Sequence, residues 1–289
     1  MKYAYFPGCS LHSTAKEYDQ SAQAVCRRLG IELEEIPDWV CCGATPTHVT
    51  DHLLSIALPV KTLLQARKMG LGVLTCCAAC FSRLKVANKI MREDEWHRER
   101  VNEIVEDKYE GEVEVRHILD ILVNEYGLDK IKGNVKEGLG GLKIASYYGC
   151  LLTRPPEVTK FDDCENPTSM DRLMETLGAQ PVSWPYKTEC CGAGLSLTRT
   201  EIVLKLSYDI LRMARDEGAE CLTVACPLCQ SNLDMRQMQV EKKYEEKFCL
   251  PVLYFTQLAG LALGIEPGEL GLNKLMVDPM KLLKEKGLV

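Results

Sequence analysis

Clustered positive charge is missing from this sequence. Its 35 lysines and arginines are interspersed with 41 acidic residues, leaving a net charge of −6. A phosphate backbone is neutralised by a stripe or patch of cations, so no nucleic acid is expected as a partner. Long apolar runs are missing as well. The longest uncharged stretch, Phe248 to Ile265, is interrupted by Pro251, Thr256, Gln257 and two glycines. It reads as a strand leading into a buried helix, not as a membrane span. The opening residues, Met1 to Ser10, carry no apolar core of a secretion signal, so a cytoplasmic location is expected. No GxGxxG follows a predicted strand, which removes the dinucleotide fingerprint. Electrons, if the chemistry uses them, must arrive from a partner.

What the chain has in abundance is cysteine: 15 among 289 residues. In a reducing compartment, thiols at fixed spacing point to metal ligation or redox chemistry before structural disulfides. An odd number also cannot pair completely within one chain.

The spacing repeats. Tyr3-Ala4-Tyr5-Phe6-Pro7-Gly8-Cys9 has a counterpart in Ala145-Ser146-Tyr147-Tyr148-Gly149-Cys150. Cys41-Cys42-Gly43-Ala44 returns as Cys190-Cys191-Gly192-Ala193, and Cys77-Ala78-Ala79-Cys80 as Cys226-Pro227-Leu228-Cys229. From Cys42 to Cys77 and from Cys191 to Cys226 there are 34 intervening residues each time, whereas the gaps after Cys9 and Cys150 are 31 and 39. Val115 to Leu122 is echoed by Val252 to Ala259. The chain is a tandem duplication.

Each half alternates strand and helix signals. Strands are expected before Gly8-Cys9 and Gly149-Cys150, at Glu32 to Ile36 and Gln180 to Trp184, and at Gly72 to Thr75 and Cys221 to Ala225. Helical periodicity runs through Glu17 to Leu29 and Ser169 to Leu177, and through residues 53–64 and 203–214. The fold class is therefore α/β: two tandem, pseudo-twofold-related domains, each with a small, mainly parallel sheet flanked by helices. Glycines at 127, 133, 138, 140 and 141 suggest a linker over 128–141, with domains at 1–134 and 135–289. In such sheets, sites form at the carboxyl ends of strands, where every repeated cysteine segment falls.

Each half thus offers five thiols: Cys9, Cys41, Cys42, Cys77 and Cys80, then Cys150, Cys190, Cys191, Cys226 and Cys229. Thiolates hold zinc and iron–sulfur clusters, and four suffice for either a structural zinc or a cubane. Five, two of them adjacent, ask for more than one metal or a bridging sulfur. The glycine after each pair is read as letting backbone approach the metal group. Two four-cysteine zinc sites with a spare thiol each remain the bland alternative. Of the remaining cysteines, Cys26 and Cys249 read as buried apolar residues, and Cys76 as a neighbour of a ligand.

The duplicated C-x31-CC-x34-CxxC and C-x39-CC-x34-CxxC pattern resembles the CCG cysteine-rich domain family. That family includes the B-type chain of heterodisulfide reductase, iron–sulfur components of glycolate and lactate oxidation, and a component of an unusual succinate dehydrogenase. Tyr5-Phe6-Pro7-Gly8-Cys9, Arg154-Pro155-Pro156 and Phe161 to Met170 are similar to the heterodisulfide reductase branch. The resemblance implies two noncubane [4Fe-4S] clusters, one per half, on the ten cysteines just named. It implies reduction of the coenzyme M–coenzyme B disulfide in methanogenesis, where S–S cleavage takes two electrons and each cluster passes one. It further implies two partners in the reductase, one a ferredoxin-like iron–sulfur protein and the other flavin-bearing, and beyond them a hydrogenase or formate dehydrogenase. Such a substrate carries anionic ends, for which Arg83, Arg154, Lys187 and Arg199 are the candidate cations, with His48 as candidate proton donor. The rivals are an electron relay for lactate, glycolate or succinate oxidation and a zinc-binding structural component.

Overall fold

The computed structural model describes residues 1–44 and 47–289, the side chain of His48 excepted. Its frame is two four-stranded parallel sheets, one per half. The first contains β1 (Lys2–Phe6), β2 (Glu32–Glu35), β3 (Val73–Thr75) and β4 (Val115–His117), in the order β2-β1-β3-β4. The second contains β5 (Lys143–Tyr147), β6 (Gln180–Pro181), β7 (Cys221–Val224) and β8 (Val252–Tyr254), in the order β6-β5-β7-β8. The strands of the first sheet thus all lie within residues 2–117 and those of the second within 143–254.

The central strands explain themselves. β1, β3, β5 and β7 are buried nearly throughout and read as continuous apolar or small runs, as parallel strands covered on both faces must. Parallel neighbours need crossovers, and the helices supply them. His52–Met69 is capped by the Asp51 carboxylate, which accepts from Leu54 N at 2.9 Å, and it stops at Gly70 in a left-handed conformation. Its counterpart Thr200–Asp216 buries Val203, Ser207, Ile210, Leu211 and Ala214 along one stripe. Phe248 to Ile265 divides as expected, into β8 and the wholly buried helix Phe255–Ala262.

Three expectations needed correction. Residues 128–134 are not a linker but the helix Leu128–Asn134, which follows a π-helical segment Ile121–Gly127 across a break at Gly127 (φ 93°), because Ile131 finds a buried place on the core. The edge strand of the second half is only Gln180–Pro181; Gln180 N and Val182 N donate to Leu142 O and Ile144 O at 2.8 Å, Pro181 sits on the open edge where no N–H is needed, and beyond it Trp184 donates its indole N–H to Ser146 O at 3.1 Å. Cys249 is exposed rather than buried, at φ 47°, where Phe248 N and Cys249 N both donate to the Glu241 carboxylate as the chain turns into β8.

The halves grip each other by exchange of helices. Lys16–Arg28 of the first half packs on Phe255–Ala262 of the second, with Tyr18 stacked on Tyr254 at 4.0 Å and Ser21 Oγ 2.7 Å from Thr256 Oγ1. Ser169–Thr176 of the second half reciprocates against Ile118–Asp120 and Leu128–Asn134. Both stacked tyrosines are fully buried. Replacing Tyr254 with Ala is expected to cost roughly 3–5 kcal/mol, the range for truncating a large buried aromatic. The measurement is urea unfolding followed at both halves: their midpoints should fall together, and a shift confined to the second half would contradict the interlock.

Candidate metal centre

In each sheet the chain leaves the first strand in one direction and returns on its other side, so the strand order reverses between β1 and β3 and between β5 and β7. A crevice opens at the carboxyl edge of such a switch point. Cys9 and Cys150 follow the first strand of each sheet, and Cys77 and Cys226 follow the third. The adjacent pairs arrive from the second strand. Residues as far apart in the chain as Cys150 and Cys229 are thereby brought to one edge.

The sulfurs meet in pairs. Cys42 Sγ lies 3.2 Å from Cys80 Sγ, and its counterpart Cys191 Sγ lies 3.6 Å from Cys229 Sγ. Cys150 Sγ is 3.8 Å from Cys190 Sγ. Backbone N–H groups also aim at sulfur in both halves: Gly43 N donates to Cys41 Sγ at 3.4 Å and Gly192 N to Cys190 Sγ at 3.3 Å. Cys42, Cys77, Cys80, Cys191, Cys226 and Cys229 are buried, whereas Cys9, Cys41 and Cys190 are exposed and Cys150 is half-buried. Each set is a cup, closed below and open above. Among the described residues no three His, Cys, Asp or Glu groups draw together tightly enough for a single ion.

The cup is shaped by glycine, at two positions beyond those that follow the cysteine pairs. A Cβ on Gly8 would stand 3.0 Å from Cys80 Sγ, and one on Gly149 would stand 3.0 Å from Cys229 Sγ, both at positive φ. These two positions let backbone pass against a motif sulfur. Gly43 and Gly192, after the cysteine pairs, also have positive φ, but a Cβ there would meet Thr47 in one half and Leu206 and Val203 in the other. They shape the turn that brings their own N–H groups to Cys41 Sγ and Cys190 Sγ.

Thiol hydrogen bonds bias which sulfurs are ionised. Those from Cys41 and Cys80 hold Cys42 well below the usual thiol range, and those from Cys229 and Cys77 do the same for Cys226. The thiol of Cys150 brings Cys190 down to about 6. Their donors are correspondingly raised. Thiolate is the form that ligates metals, and Cys42, Cys190 and Cys226 are the thiols biased toward it. Cys77 and Cys226 come from different halves, and their mutual influence shows that the two cups adjoin. The second cup opens into a cavity of about 110 Å³ lined by Cys150, Cys190, Cys191, Cys226 and Cys229, with Ala78 and Ala79 contributed by the first half.

His117 sits at the seam. Its Nε2 is 2.7 Å from Cys76 O and 3.2 Å from Ala225 O, the carbonyls immediately before Cys77 and Cys226. Its Nδ1 accepts from Leu119 N at 3.2 Å, so the ring is neutral with its proton on Nε2 and joins both CxxC turns. Sequence comparison missed it because the equivalent residue in the other half is Tyr254, which breaks the repeat.

The candidate cations are placed unevenly. Lys187 is buried, its amine held by Asp171 Oδ2 at 3.1 Å and Pro167 O at 3.0 Å. Arg154 binds Cys164 O at 3.1 Å and Thr188 Oγ1 at 3.0 Å and pairs with Glu165, tying that loop to the segment before Cys190. Arg199 lies exposed beside Glu201. Arg83 alone of the four acts on a motif sulfur, Cys42, and its buried Nε has no hydrogen-bond partner among the described residues. The side chain proposed at His48 lies outside the described residues. Cys76 is buried next to Cys77 with its sulfur 3.9 Å from Tyr5 Oη.

The cysteine-rich domain model called CCG matches residues 3–85 and 144–234, more than half of the chain and both cysteine sets. This chain belongs to the CCG family. Its relatives include the membrane anchor component of the 8-methylmenaquinol:fumarate reductase of Wolinella succinogenes, 36% identical over 97% of this chain and 99% of the relative. The B-type chain of a ferredoxin/F420H2-dependent CoB-CoM heterodisulfide reductase of Methanosarcina acetivorans is 30% identical over 98% of this chain and 96% of its own length. The crystal structure of a hypothetical protein from Helicobacter pylori superposes with a TM-score of 0.76 at 14% identity, covering 96% of this chain. The CCG chain spans about half of that protein, with 52% covered, and the likeness concerns fold alone.

The seam makes a pH prediction. Burial pushes His117 down from 6.5 to about 4. Between those values the unfolded chain takes up a proton that the buried ring refuses, so stability is full above the unfolded value and lost as pH falls through the window. The loss amounts to about 3 kcal/mol at most. His117→Gln, which does not titrate, should flatten this part of the acid limb in urea unfolding. Equal acid slopes for the two proteins would show that another group governs it.

Proposed function

We propose that this CCG chain is the catalytic iron–sulfur component of a heterodisulfide reductase, acting on the coenzyme M–coenzyme B disulfide. The observation that carries the reading is that two five-cysteine cups adjoin at Cys77 and Cys226, beside a cavity that the five cysteines of the second cup line and Ala78 and Ala79 of the first half help to wall. Cys9, Cys41, Cys42, Cys77 and Cys80 would hold one noncubane [4Fe-4S] cluster, and Cys150, Cys190, Cys191, Cys226 and Cys229 the other. When bound, each cluster would supply one electron at a time, and the disulfide takes two electrons and two protons to give two thiols. The chain's own part is to hold two such groups close together, beside a narrow, largely apolar cavity on the second cup that keeps water away from the reacting sulfurs. Arg83, at the inner wall of the first cup, is the described cation best placed to face an anionic group; Arg154, Lys187 and Arg199 would act at greater remove. His48 remains the proposed proton donor on sequence grounds. The fit with relatives named as heterodisulfide reductase components supports a ferredoxin-like iron–sulfur partner, a flavin-bearing partner and a cytoplasmic setting. Among the described residues no helix is long and apolar enough to cross a membrane.

A second reading has an observation of its own. The 36% identity to a fumarate reductase component runs over essentially the whole of both chains. On that reading the cups hold relay centres on the way from a quinol to fumarate, and no small disulfide binds.

One preparation separates these readings. Anaerobically purified chain should contain about eight irons and as many sulfides, as two four-iron clusters require. Adding the coenzyme disulfide to the reduced protein should change its iron spectrum, whereas a relay protein would ignore it. Cys42→Ser and Cys191→Ser should each disturb one cluster and spare the other. Correctly folded protein with about two zincs and no iron would end both redox readings.

A further inference from the structure

The duplication makes the two cups nearly equivalent, so a difference in charge between matched positions stands out. Three residues past each CxxC, one helical turn on, the first half has Arg83 and the second has Asn232. Asn232 is buried and neutral: its Nδ2 donates to Cys191 O at 3.0 Å and lies 3.6 Å from Cys191 Sγ, and its Oδ1 accepts from Ser196 Oγ at 2.9 Å. The same register directs Arg83 at Cys42, the counterpart of Cys191. Immediately before the cysteine pair, the first half has Val40 and the second has Glu189.

We infer that Arg83 and Glu189 make the two centres unequal, the first-half centre being the more readily reduced. The inference rests on the reading that the motif sulfurs hold iron. Reduction adds negative charge to a cluster, and cluster potential follows local net charge, hydrogen bonds to sulfur and exposure to solvent. A guanidinium against the first cup favours the reduced state there. Glu189, exposed and next to Cys190 in the chain, adds a weaker opposing charge in the second. Other charges near the second cup do not restore the balance, because Lys187 is paired with Asp171 and Arg154 with Glu165. Arg83 has no ion pair among the described residues, and its Nε is out of water. A charge so placed is weakly screened, so it outweighs the dipolar contact from Asn232 to Cys191. In use, the first electron to arrive settles in the first half. The second half then holds the stronger reductant, and the two are filled in order.

The test is an anaerobic redox titration of the iron-loaded full chain, followed by electron paramagnetic resonance, with iron counted on every sample. The wild type should show two reduction steps. Arg83→Gln should move the higher step by at least tenfold in its reduction equilibrium toward the oxidised state, about 59 mV for one electron. Arg83→Lys should restore most of it. Glu189→Gln should raise the lower step and narrow the gap. A single common midpoint in the wild type would overturn the inference, as would an unmoved higher step in iron-replete Arg83→Gln. Should Arg83→Gln fail to hold iron, Glu189→Gln decides, and an unchanged gap there also overturns it. Absence of iron from the wild type is seen before any potential is measured, and it refutes the underlying reading instead.

Discussion

The site depends on one constraint: a parallel strand can end beside its neighbours only if every strand in the sheet points the same way. Because β1, β2 and β3 run parallel, the three segments that follow them emerge on one edge, and so do those after β5, β6 and β7. Crossover helices of many residues must intervene, which is why the ligating cysteines lie far apart in sequence and close in space. An antiparallel connection anywhere in this set would send one cysteine segment to the opposite edge and open the cup. The left-handed glycines before Cys9 and Cys150 are part of the same constraint, since the backbone must pass within contact distance of the CxxC sulfur.

Duplication then supplies a second edge, and the seam decides how the two edges face. His117 is bonded at once to the carbonyls that introduce Cys77 and Cys226. A buried ring with one proton shared between two carbonyls tolerates little relative motion, because displacement leaves a polar group unsatisfied in a dry interior. The stacked Tyr18 and Tyr254 lock the same seam through packing. Distance between the two cups is therefore a property of the core, not of a flexible hinge.

Much of this was legible in the residues. The paired gaps of 34 residues established the repeat, and alternation of strand and helix patterns led to two parallel α/β units. Convergence of the motif cysteines followed from their places after strands. Legibility ended where the two copies differ or where local pattern competes with tertiary packing. His117 faces Tyr254 across the repeat and so left no echo. Glycine-rich residues around 127–141 looked like a linker, yet Ile131 gains enough burial to hold a helix there. Cys249 sits among apolar neighbours, but the carboxylate of Glu241 captures the backbone N–H groups of its turn and leaves its own side chain outside. Charge alone could not rank the candidate cations, because pairing with Asp171, Glu165 or Glu201 depends on the fold.

Symmetry of the scaffold and asymmetry of its lining do different jobs. Two copies of one cup can each hold a similar group, but identical surroundings would leave no preference for where charge resides. The cavity wall is already unequal: the CxxC interior is Ala78-Ala79 in one half and Pro227-Leu228 in the other, and Ala78, Ala79, Leu151 and Leu228 all line the space. Such a wall is small on one side and largely apolar, so it admits a slender ligand while holding the local dielectric low. At the other cup, a single partly buried, unpaired guanidinium counts for more than the many exposed ion pairs of the surface, which water and salt largely screen. The positions where the repeat fails in charge, Arg83 against Asn232 and Val40 against Glu189, are thus where a duplicated scaffold acquires direction.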